Sequence, residues 1–480
     1  MKDLRQFKRI HFIGIGGAGM SAIASVLVER GFNVTGSDVS TNESTRKLAR
    51  AGALIFEGHA AANLQGADLV VTSTAIHADN PERQAAEARG LAIWRRARVL
   101  AAIMRGGRSV AVSGTHGKTT TTSMLGLMLA MADFDPTVLI GGELNDFGGN
   151  ARLGQGEWVV AEADESDASF LEMEPDRIIV TNIDADHLDF YADLEAIVRT
   201  FGEFFGHLRP HGKLIACLDN LMVARLVEGG PWPAITYGLD HPAADMRATD
   251  VQSAEDGRGS RFIPLWRGEP LGEFHLRIPG RHNVLNALGA LACALDLGAP
   301  LEPLRRALGI FMGAKRRFQV KGIEAGVTVV DDYGHHPTEI AATLAAARDQ
   351  VRVGGGRLVG LFQPHRYSRT LHLAKDFGKA LMAADMALVT DVYGAGEPPI
   401  AGVSGSLVYE ALVAQGHANA HYLPTLEGAR AFLAERLERG DLFLTIGAGN
   451  VWKVGEWVLE DLRLREGEPE PEPYKVLEAG

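Results

Sequence analysis

The chain has 480 residues, of which 46% are hydrophobic and 22% charged, a size and composition that predict about three globular domains. Acidic residues outnumber basic residues by 60 to 48, which argues against a protein that coats nucleic-acid phosphates. Two cysteines, Cys217 and Cys293, cannot build a disulfide framework, and no apolar stretch approaches the length of a membrane span, so a cytoplasmic protein is expected.

Strand-like apolar runs alternate with helical patterns along the chain, an order that predicts parallel α/β sheets. We predict three blocks, at residues 1–104, 105–314 and 315–480. The first block opens with strand Ile10–Ile15, helix Met20–Arg30 and strand Asn33–Ser37, and continues with strands at Asp68–Thr72 and Ala92–Trp94.

A glycine loop joins the first predicted strand to the first predicted helix. Gly14–Gly19 matches G-x-G-x-x-G, and Asp38 ends the next strand, which together form the dinucleotide fingerprint. Taken alone, this pattern predicts an NAD-dependent oxidoreductase. The loop itself selects only a pyrophosphate, however, because its backbone amides bind phosphate oxygens that any nucleoside diphosphate supplies.

A second phosphate loop lies between predicted strand Ser109–Ser113 and predicted helix Thr119–Met131. Its residues are Gly114, Thr115, His116, Gly117, Lys118, Thr119 and Thr120. In such a P-loop, amides and the helix N-terminus hold the phosphates, the lysine reaches the β- and γ-phosphates, and the next threonine binds Mg²⁺. Val112 replaces the usual first glycine, so the loop is a shortened variant. Two loops predict two different nucleotides, and an oxidoreductase has no use for a P-loop.

Acidic residues follow the next two predicted strands, Trp158–Glu162 and Ile178–Asn182. Because the carboxyl ends of parallel strands share one edge of a sheet, these residues are expected beside the P-loop. Glu162 with Thr119 is therefore a candidate Mg²⁺ site, and His187 is a candidate ligand for a second metal ion.

Apolar runs in the third block predict strands near Val327–Asp331, Leu358–Phe362, Met386–Thr390 and Leu442–Ile446. The segment Glu466–Pro473 alternates glutamate with glycine and proline, and an acidic disordered tail is expected there. The sequence makes no prediction of oligomeric state.

Eight short motifs, in this order, make the chain resemble the Mur ligase family of bacterial peptidoglycan synthesis over almost its whole length. They are GIGGAGMS at Gly14–Ser21, GTHGKTTT at Gly114–Thr121, EADESDASF at Glu162–Phe170, TNIDADH at Thr181–His187, HNVLN at His282–Asn286, DDYGHHP at Asp331–Pro337, QPHRYSR at Gln363–Arg369 and DVYGAGE at Asp391–Glu397. Their combination is highly specific, and the shortened P-loop is the form that this family uses.

The resemblance implies a three-domain α/β fold with a Rossmann-like N-terminal domain, a central P-loop ATPase domain and a Rossmann-like C-terminal domain. These domains are implied to bind a UDP-sugar, ATP and an amino acid, in that order. The residues implied for the UDP-sugar are Gly14, Gly16, Gly17, Ala18, Gly19, Met20, Asp38, His59, Ser73 and Thr74. Those implied for ATP, in addition to the P-loop, are His282, Asn283, Asn286 and Arg317.

The implied activity uses ATP and Mg²⁺ to join L-alanine to the lactyl carboxylate of UDP-N-acetylmuramate through an acyl phosphate. The implied catalytic residues are Lys118, Glu162, His187, His335 and Arg366, and those for the amino acid are Tyr333, His335, Arg366 and Arg369. Either His335 or His187 is implied to take the proton of the amine. Neither a nucleic acid nor a membrane is an expected partner. Within the family the alternative is a ligase that recycles murein tripeptide, whose first loop and third-domain motif differ from those of this chain.

Overall fold

The computed structural model describes residues 4–141, 149–188, 190–254 and 257–466, which form two compact units. One unit comprises Met1–Gln252 and Gly259–Lys315, and the other comprises Ser253–Arg258 and Arg316–Gly480. The expected tail beyond Glu466 lies outside the described residues, and the predicted domain boundaries at 104 and 314 remain predictions. Among the described helices, none is long and apolar enough to cross a membrane.

The first sheet has five parallel strands in the order β3-β2-β1-β4-β5. Its elements are β1 (Arg9–Ile13), α1 (Ala18–Glu29), β2 (Asn33–Asp38), α2 (Glu43–Arg50), β3 (Leu54–Glu57), a 3-10 turn (Ala61–Leu64), β4 (Leu69–Thr72), α3 (Pro81–Ala88), β5 (Ala92–Arg95) and α4 (Arg96–Met104). The strand order reverses between β1 and β4, so the glycine loop after β1 lies at the switch point where doubly wound sheets bind ligands.

The central sheet has eleven strands. Its elements are β6 (Arg108–Ser113), α5 (Lys118–Met131), β7 (Thr137–Leu139), β8 (Ala151–Arg152), β9 (Trp158–Glu162), a 3-10 turn (Ser169–Glu172), β10 (Arg177–Val180), α6 (Leu194–Phe205), β11 (Lys213–Cys217), α7 (Leu221–Gly229), β12 (Ala234–Tyr237), β13 (Met246–Ser253), β14 (Ser260–Trp266), β15 (Glu269–Pro270), β16 (Phe274–Leu276), α8 (Arg281–Asp296) and α9 (Leu301–Ile310). Strand β6 lies between β9 and β10 and is parallel to both. The P-loop and the two acidic segments therefore leave neighbouring strands at one edge.

The third sheet has six strands in the order β17-β18-β22-β19-β20-β21, and only the edge strand β17 is antiparallel to its neighbour. Its elements are β17 (Gln319–Glu324), β18 (Val327–Asp332), α10 (Pro337–Gly354), β19 (Leu358–Phe362), α11 (Tyr367–Leu381), β20 (Met386–Val389), α12 (Ser406–Ala414), β21 (Ala420–Tyr422), α13 (Leu426–Arg436), β22 (Leu442–Ile446) and α14 (Trp452–Glu466). The three Rossmann-like and P-loop sheets confirm the α/β fold class.

Apolar side chains cover both faces of the central and third sheets. One cluster is shared by the first and central sheets: it contains Ile10 and Phe12 of β1 together with Ala111 of β6 and Val159 of β9. Burial on both faces explains why the parallel strands have continuous apolar sequences.

Phe170 anchors the acidic segment that follows β9. Its ring is fully buried, stacks on Phe204 at 4.4 Å and meets the edge of Phe201 at 5.2 Å. We expect Phe170→Ala to lower the free energy of unfolding by about 3–5 kcal/mol, because the truncation leaves a cavity in a packed core. Urea unfolding measures this loss, with Leu221→Ala, at a side chain that is 77% exposed, as the control. A loss no larger than that of the control would contradict the anchoring role.

Candidate active site

The P-loop connects β6 to α5 by a turn that needs glycine. Gly114 has φ +127°, and a Cβ at this position would collide with the Thr181 hydroxyl. Gly117 has φ +81° and caps the N-terminus of α5. The amide of Asn286, from α8, lies against Gly117. The turn therefore carries helix α5, with its N-terminal partial positive charge, directly after the strand, as a phosphate site requires.

Lys118 folds back over this loop. Its Nζ donates to the carbonyl oxygens of Gly114, at 2.6 Å, and Thr115, at 3.0 Å, and lies 2.8 Å from a carboxylate oxygen of Glu165. Burial alone would lower the pKa of Lys118, but the negative charges of Glu165 and nearby carboxylates outweigh burial and raise it. The lysine is therefore held as a cation within the phosphate loop.

Glu162 lies at the end of β9, next to the start of α5. Its Oε1 accepts a hydrogen bond from the Gly141 amide at 2.8 Å, and the Thr119 hydroxyl donates to the same carboxylate. Burial raises the pKa of Glu162, and these donors together with Lys118 act against that increase. A carboxylate and a hydroxyl side by side are hard oxygen donors, so the residues fit a Mg²⁺ ion.

His187 lies in the segment after β10, and its imidazole faces Glu165, the carboxylate that pairs with Lys118. Its Nε2 is 3.7 Å from Glu165 Oε1 and 3.7 Å from Asp186 Oδ2. The backbone at His187 has φ +54°, a left-handed conformation that is uncommon for a residue with a Cβ. Such strain is found preferentially at functional sites. The Glu165 carboxylate is therefore close to both the His187 imidazole and the Lys118 ammonium group.

Asn182 binds the backbone of the P-loop, although the sequence predicts it as the last residue of a strand. Strand β10 ends at Val180, and the Asn182 side chain accepts from the His116 amide at 2.8 Å and donates to the His116 carbonyl at 3.0 Å. The strand is shorter than predicted because Asn182 leaves the ladder to make these contacts. His116 Nε2 lies 3.4 Å from Asp184 Oδ2.

The HNVLN motif begins helix α8. Asn283 is buried and donates to the Pro279 carbonyl at 2.7 Å, so it braces the start of the helix. Asn286 lies one turn later and reaches Gly117, while His282 lies in the first turn and is half-buried. Among these predicted ATP residues, Asn286 is in direct contact with the P-loop.

The glycine loop of the first sheet is tied to the end of β2. The Gly14 and Ile15 amides donate to the Ser37 carbonyl, and the Gly16 amide donates to Asp38 Oδ2 at 2.8 Å. His59, in the segment after β3, has its Nδ1 2.9 Å from Ser37 Oγ. The predicted nucleotide residues of β1, β2 and β3 therefore meet at one edge.

A cavity of about 210 Å³ lies between the glycine loop and the acidic segment after β9. Its lining includes these residues of the loop and of the β4 end, all predicted for the UDP-sugar: Gly17, Ala18, Gly19, Met20, Ser73 and Thr74. Asp164, Ser166, Asp167 and Ser169 line the opposite side. One cavity therefore touches both the first nucleotide loop and the segment that carries the partner of Lys118.

Arg96 also lines this cavity, and sequence analysis missed it. A Cβ on Gly19 would collide with its guanidinium, which forms a 3.1 Å ion pair with Asp164. The guanidinium therefore lies against the first turn of α1, where a diphosphate would bind. No motif marks Arg96, because Arg95, Arg96 and Arg98 are equally basic in the sequence.

The second unit contains a cluster of aromatic and basic side chains at the ends of β18 and β19. The ring of His335 lies 5.4 Å from that of Tyr333 and 5.8 Å from that of His365. Arg369 Nη1 is 3.4 Å from His365 Nδ1, and the Arg317 guanidinium is 5.5 Å from the Tyr333 ring. Tyr333, His335 and Arg369, all predicted for the amino acid, are thus brought together, with Arg317 beside them.

Arg366 is the N-cap of helix α11 and has a positive φ of +67°, which is uncommon for a residue with a Cβ. Its amide donates to the Tyr393 carbonyl at 2.9 Å, and its guanidinium lies 4.0 Å from Glu397. Tyr393 in turn stacks on His365. Asp332, the last residue of β18, accepts hydrogen bonds from the Phe318 and Gly334 amides. Burial raises the pKa of Asp332, although the nearby Arg317 acts against that increase.

Three family models match the chain in succession. They are described as the Mur ligase family catalytic domain at residues 9–108, the Mur ligase middle domain at 112–294, and the Mur ligase glutamate ligase domain at 316–449. The chain belongs to the Mur ligase family.

Individual relatives of this Mur ligase agree with the family models. The UDP-N-acetylmuramate–L-alanine ligase of Syntrophotalea carbinolica is 48% identical over 461 residues, which are 96% of this chain and 99% of the relative. The enzyme of the same name from a Geobacter species is 49% identical over 96% of this chain and 98% of its own length. Neither relative is an oxidoreductase, so the comparisons support the ligase interpretation.

Solved structures give the same result for this Mur ligase. The UDP-N-acetylmuramate–alanine ligase of Thermotoga maritima superimposes with a TM-score of 0.79 at 30% identity, over 96% of this chain and all of that chain. A murein peptide ligase from Psychrobacter arcticus gives a TM-score of 0.69 at 25% identity, over 95% of this chain and 98% of that chain.

Proposed function

We propose that this Mur ligase uses ATP to join L-alanine to the lactyl carboxylate of UDP-N-acetylmuramate. The observation that carries the proposal is the cavity lined by the glycine loop and by the acidic segment after β9, because the same segment carries Glu165, which pairs with Lys118 of the P-loop. The names of relatives that are 46–49% identical support the choice of substrates.

The first step activates the carboxylate. A lactyl carboxylate oxygen attacks the γ-phosphorus of ATP, the bond to the β-bridging oxygen breaks, and ADP leaves an acyl phosphate behind. Both reactants are negative, so the cation of Lys118 and the N-terminus of α5 offset their repulsion. Thr119 and Glu162 would hold Mg²⁺ and His187 a second ion, and bound Mg²⁺ supplies further positive charge along the phosphates.

The second step forms the amide. The neutral amine of L-alanine attacks the acyl carbon, and the tetrahedral intermediate releases inorganic phosphate. Arg366 and Arg369 are proposed to bind the alanine carboxylate, since a guanidinium matches a carboxylate in a bidentate pair. Tyr333 and His335 are proposed to line the pocket for the methyl side chain of alanine. Either His335 or His187 is proposed to take the amine proton.

The reaction is proposed to take place in the cytoplasm, where ATP is supplied and thiols stay reduced. Cys217 and Cys293 are both buried and free, as expected for a protein in that compartment. Burial raises the pKa of the Cys217 thiol to about 12, so this thiol stays protonated and unreactive.

The proposed substrates are tested by phosphate release from ATP in the presence of UDP-N-acetylmuramate and a panel of amine acceptors. L-alanine is expected to give the highest kcat/KM, with glycine and L-serine below it, since a side-chain pocket separates such small groups by about 1–3 kcal/mol. Activity with L-alanyl-γ-D-glutamyl-diaminopimelate but not with L-alanine would instead assign the recycling of murein tripeptide. Hydride transfer to a nicotinamide with no phosphate release would assign the oxidoreductase class.

We expect Arg96→Ala to raise the KM for UDP-N-acetylmuramate about tenfold or more, because one charge-assisted contact to the diphosphate is lost. The KM for ATP should stay within about twofold of the wild-type value. Steady-state kinetics with each substrate varied in turn measures both effects. Arg98→Ala is the matched control, because Arg98 lies on the same helix and packs over Trp94 instead. Equal increases in both KM values would contradict a role at the diphosphate.

A further inference from the structure

Glu82 is a buried carboxylate that the proposed reaction does not use. It lies in the first turn of α3, is completely inaccessible to solvent, and accepts hydrogen bonds from β2 and from the segment after β3, with His11 of β1 close by. Oε1 accepts from Asn63 Nδ2 at 2.6 Å and from the Ala60 amide at 3.2 Å. Oε2 accepts from Ser37 Oγ at 2.5 Å and lies 3.5 Å from His11 Nε2. A buried charge with so many partners holds their segments in one arrangement.

Two of these segments belong to the nucleotide-sugar site. The Ser37 carbonyl accepts hydrogen bonds from the Gly14 and Ile15 amides, so the position of Ser37 determines that of the glycine loop. The segment after β3 is tied to the same place, because the Gly58 amide donates to the Asp38 carbonyl at 2.7 Å. Glu82 therefore lies directly beneath the residues that would hold the diphosphate and its nucleoside.

The network also selects the proton position on His59. Ser37 Oγ donates its hydrogen to Glu82, so it accepts from His59 Nδ1, which is 2.9 Å away. Glu82 Oε2 lies 3.4 Å from the same nitrogen. A proton on Nδ1 leaves Nε2 of the neutral ring as a hydrogen-bond acceptor. Glu82 thus sets the orientation of the His59 imidazole and leaves its Nε2 as the atom that can accept a hydrogen bond from a ligand.

Glu82 keeps its charge despite burial. Burial by itself raises the pKa of Glu82, but the donors on His11, Ser37 and Asn63 outweigh burial and lower that pKa to about 2. The carboxylate is therefore ionised at every pH at which the enzyme would be assayed.

We propose that Glu82 is a positioning residue of the nucleotide-sugar site, which fixes Ser37 and His59 for the uridine diphosphate end of the ligand. The inference rests on the proposed function, because that function places the ligand at the glycine loop. Glu82 touches no reacting atom, so its effect should fall on binding of the nucleotide and not on the chemical steps.

The test is Glu82→Gln, which keeps the side-chain shape and removes the charge. We expect the Kd for UDP, measured by calorimetry, and the KM for UDP-N-acetylmuramate to rise about tenfold or more. The kcat at saturation and the KM for ATP should stay within about twofold. Glu87→Gln is the matched control, because Glu87 lies on the same helix with an exposed side chain that pairs with Arg83. A Glu82→Gln protein that binds UDP within about twofold of wild type would overturn the inference.

A double-mutant cycle separates positioning from general stability. Because Glu82 positions His59 as well as Ser37, Glu82→Gln should weaken UDP binding less in the H59A background than in the wild type, and fully additive losses would overturn the proposed positioning of His59. Should Glu82→Gln fail to fold in a thermal melt, Ser37→Ala removes the hydroxyl that bridges the two residues, and unchanged UDP binding by it would overturn the inference. A wild-type protein that binds neither UDP nor UDP-N-acetylmuramate would overturn the proposed function as well.

Discussion

Replacing Lys118 with alanine is expected to reduce turnover about 10²–10³-fold or more while leaving UDP-N-acetylmuramate binding nearly intact. Lys118 supplies the one ammonium group within the described P-loop, and phosphoryl transfer between two anions depends on such a charge. The nucleotide-sugar site is built on a different sheet, at the glycine loop, and does not include Lys118. Phosphate release measures the first effect, and calorimetry with UDP-N-acetylmuramate measures the second.

Lys379→Ala is the control for this experiment, since Lys379 is an exposed lysine in the last turn of α11. It should keep both turnover and binding. A Lys118→Ala protein that loses both properties equally, with an unchanged thermal melt, would contradict the division of labour between the two loops.

Replacing Glu162 with glutamine is expected to lower kcat/KM about 10²–10³-fold at low magnesium and to restore part of the loss at high magnesium. Glutamine keeps an oxygen that can accept the hydrogen bond from the Gly141 amide, so this contact is retained while the negative charge is removed. A neutral oxygen binds a hard divalent cation more weakly than a carboxylate does. Activity titrated against Mg²⁺ gives the measurement, and the half-saturating concentration should rise.

Glu157→Gln provides the comparison, because Glu157 immediately precedes β9 and pairs with Arg108 at the surface. Its magnesium titration should overlay that of the wild type. A Glu162→Gln protein whose activity is low but whose half-saturating Mg²⁺ concentration is unchanged would show that Glu162 does not bind the metal.

Most of the parallel strands could be predicted from the sequence, because strands buried on both faces are continuous apolar runs. The predicted bounds Trp158–Glu162, Leu358–Phe362 and Leu442–Ile446 agree with β9, β19 and β22 to the residue. The strands β13 to β16 were not predicted: polar residues interrupt β13 along its whole length, and β15 and β16 have only two and three residues. Tertiary contacts, not local preference, hold these strands in place.

Site residues could be predicted where a sequence motif contains them. They could not be predicted where only the folded geometry distinguishes one residue from neighbours of the same chemical type. The segment between β9 and the following 3-10 turn contains three carboxylates, and no motif spacing distinguishes Glu165, which pairs with Lys118, from Asp164 or Asp167. His365 lies inside the QPHRYSR motif, yet its contacts with His335 and Tyr393 depend on the packing of loops from different strands. Strand order therefore carries information that motif spacing does not.

The apolar cluster shared by the first and central sheets has a practical consequence for dissecting this enzyme into recombinant fragments. A fragment that ends at Met104 would carry the glycine loop but would expose the side of Ile10 and Phe12 that packs with Ala111 and Val159. Such a fragment is expected to aggregate, because it exposes an apolar surface that is buried in the whole protein. A fragment that runs from the N-terminus to Lys315 keeps the cluster whole, and it offers crystallographers and inhibitor screens both nucleotide loops in one target.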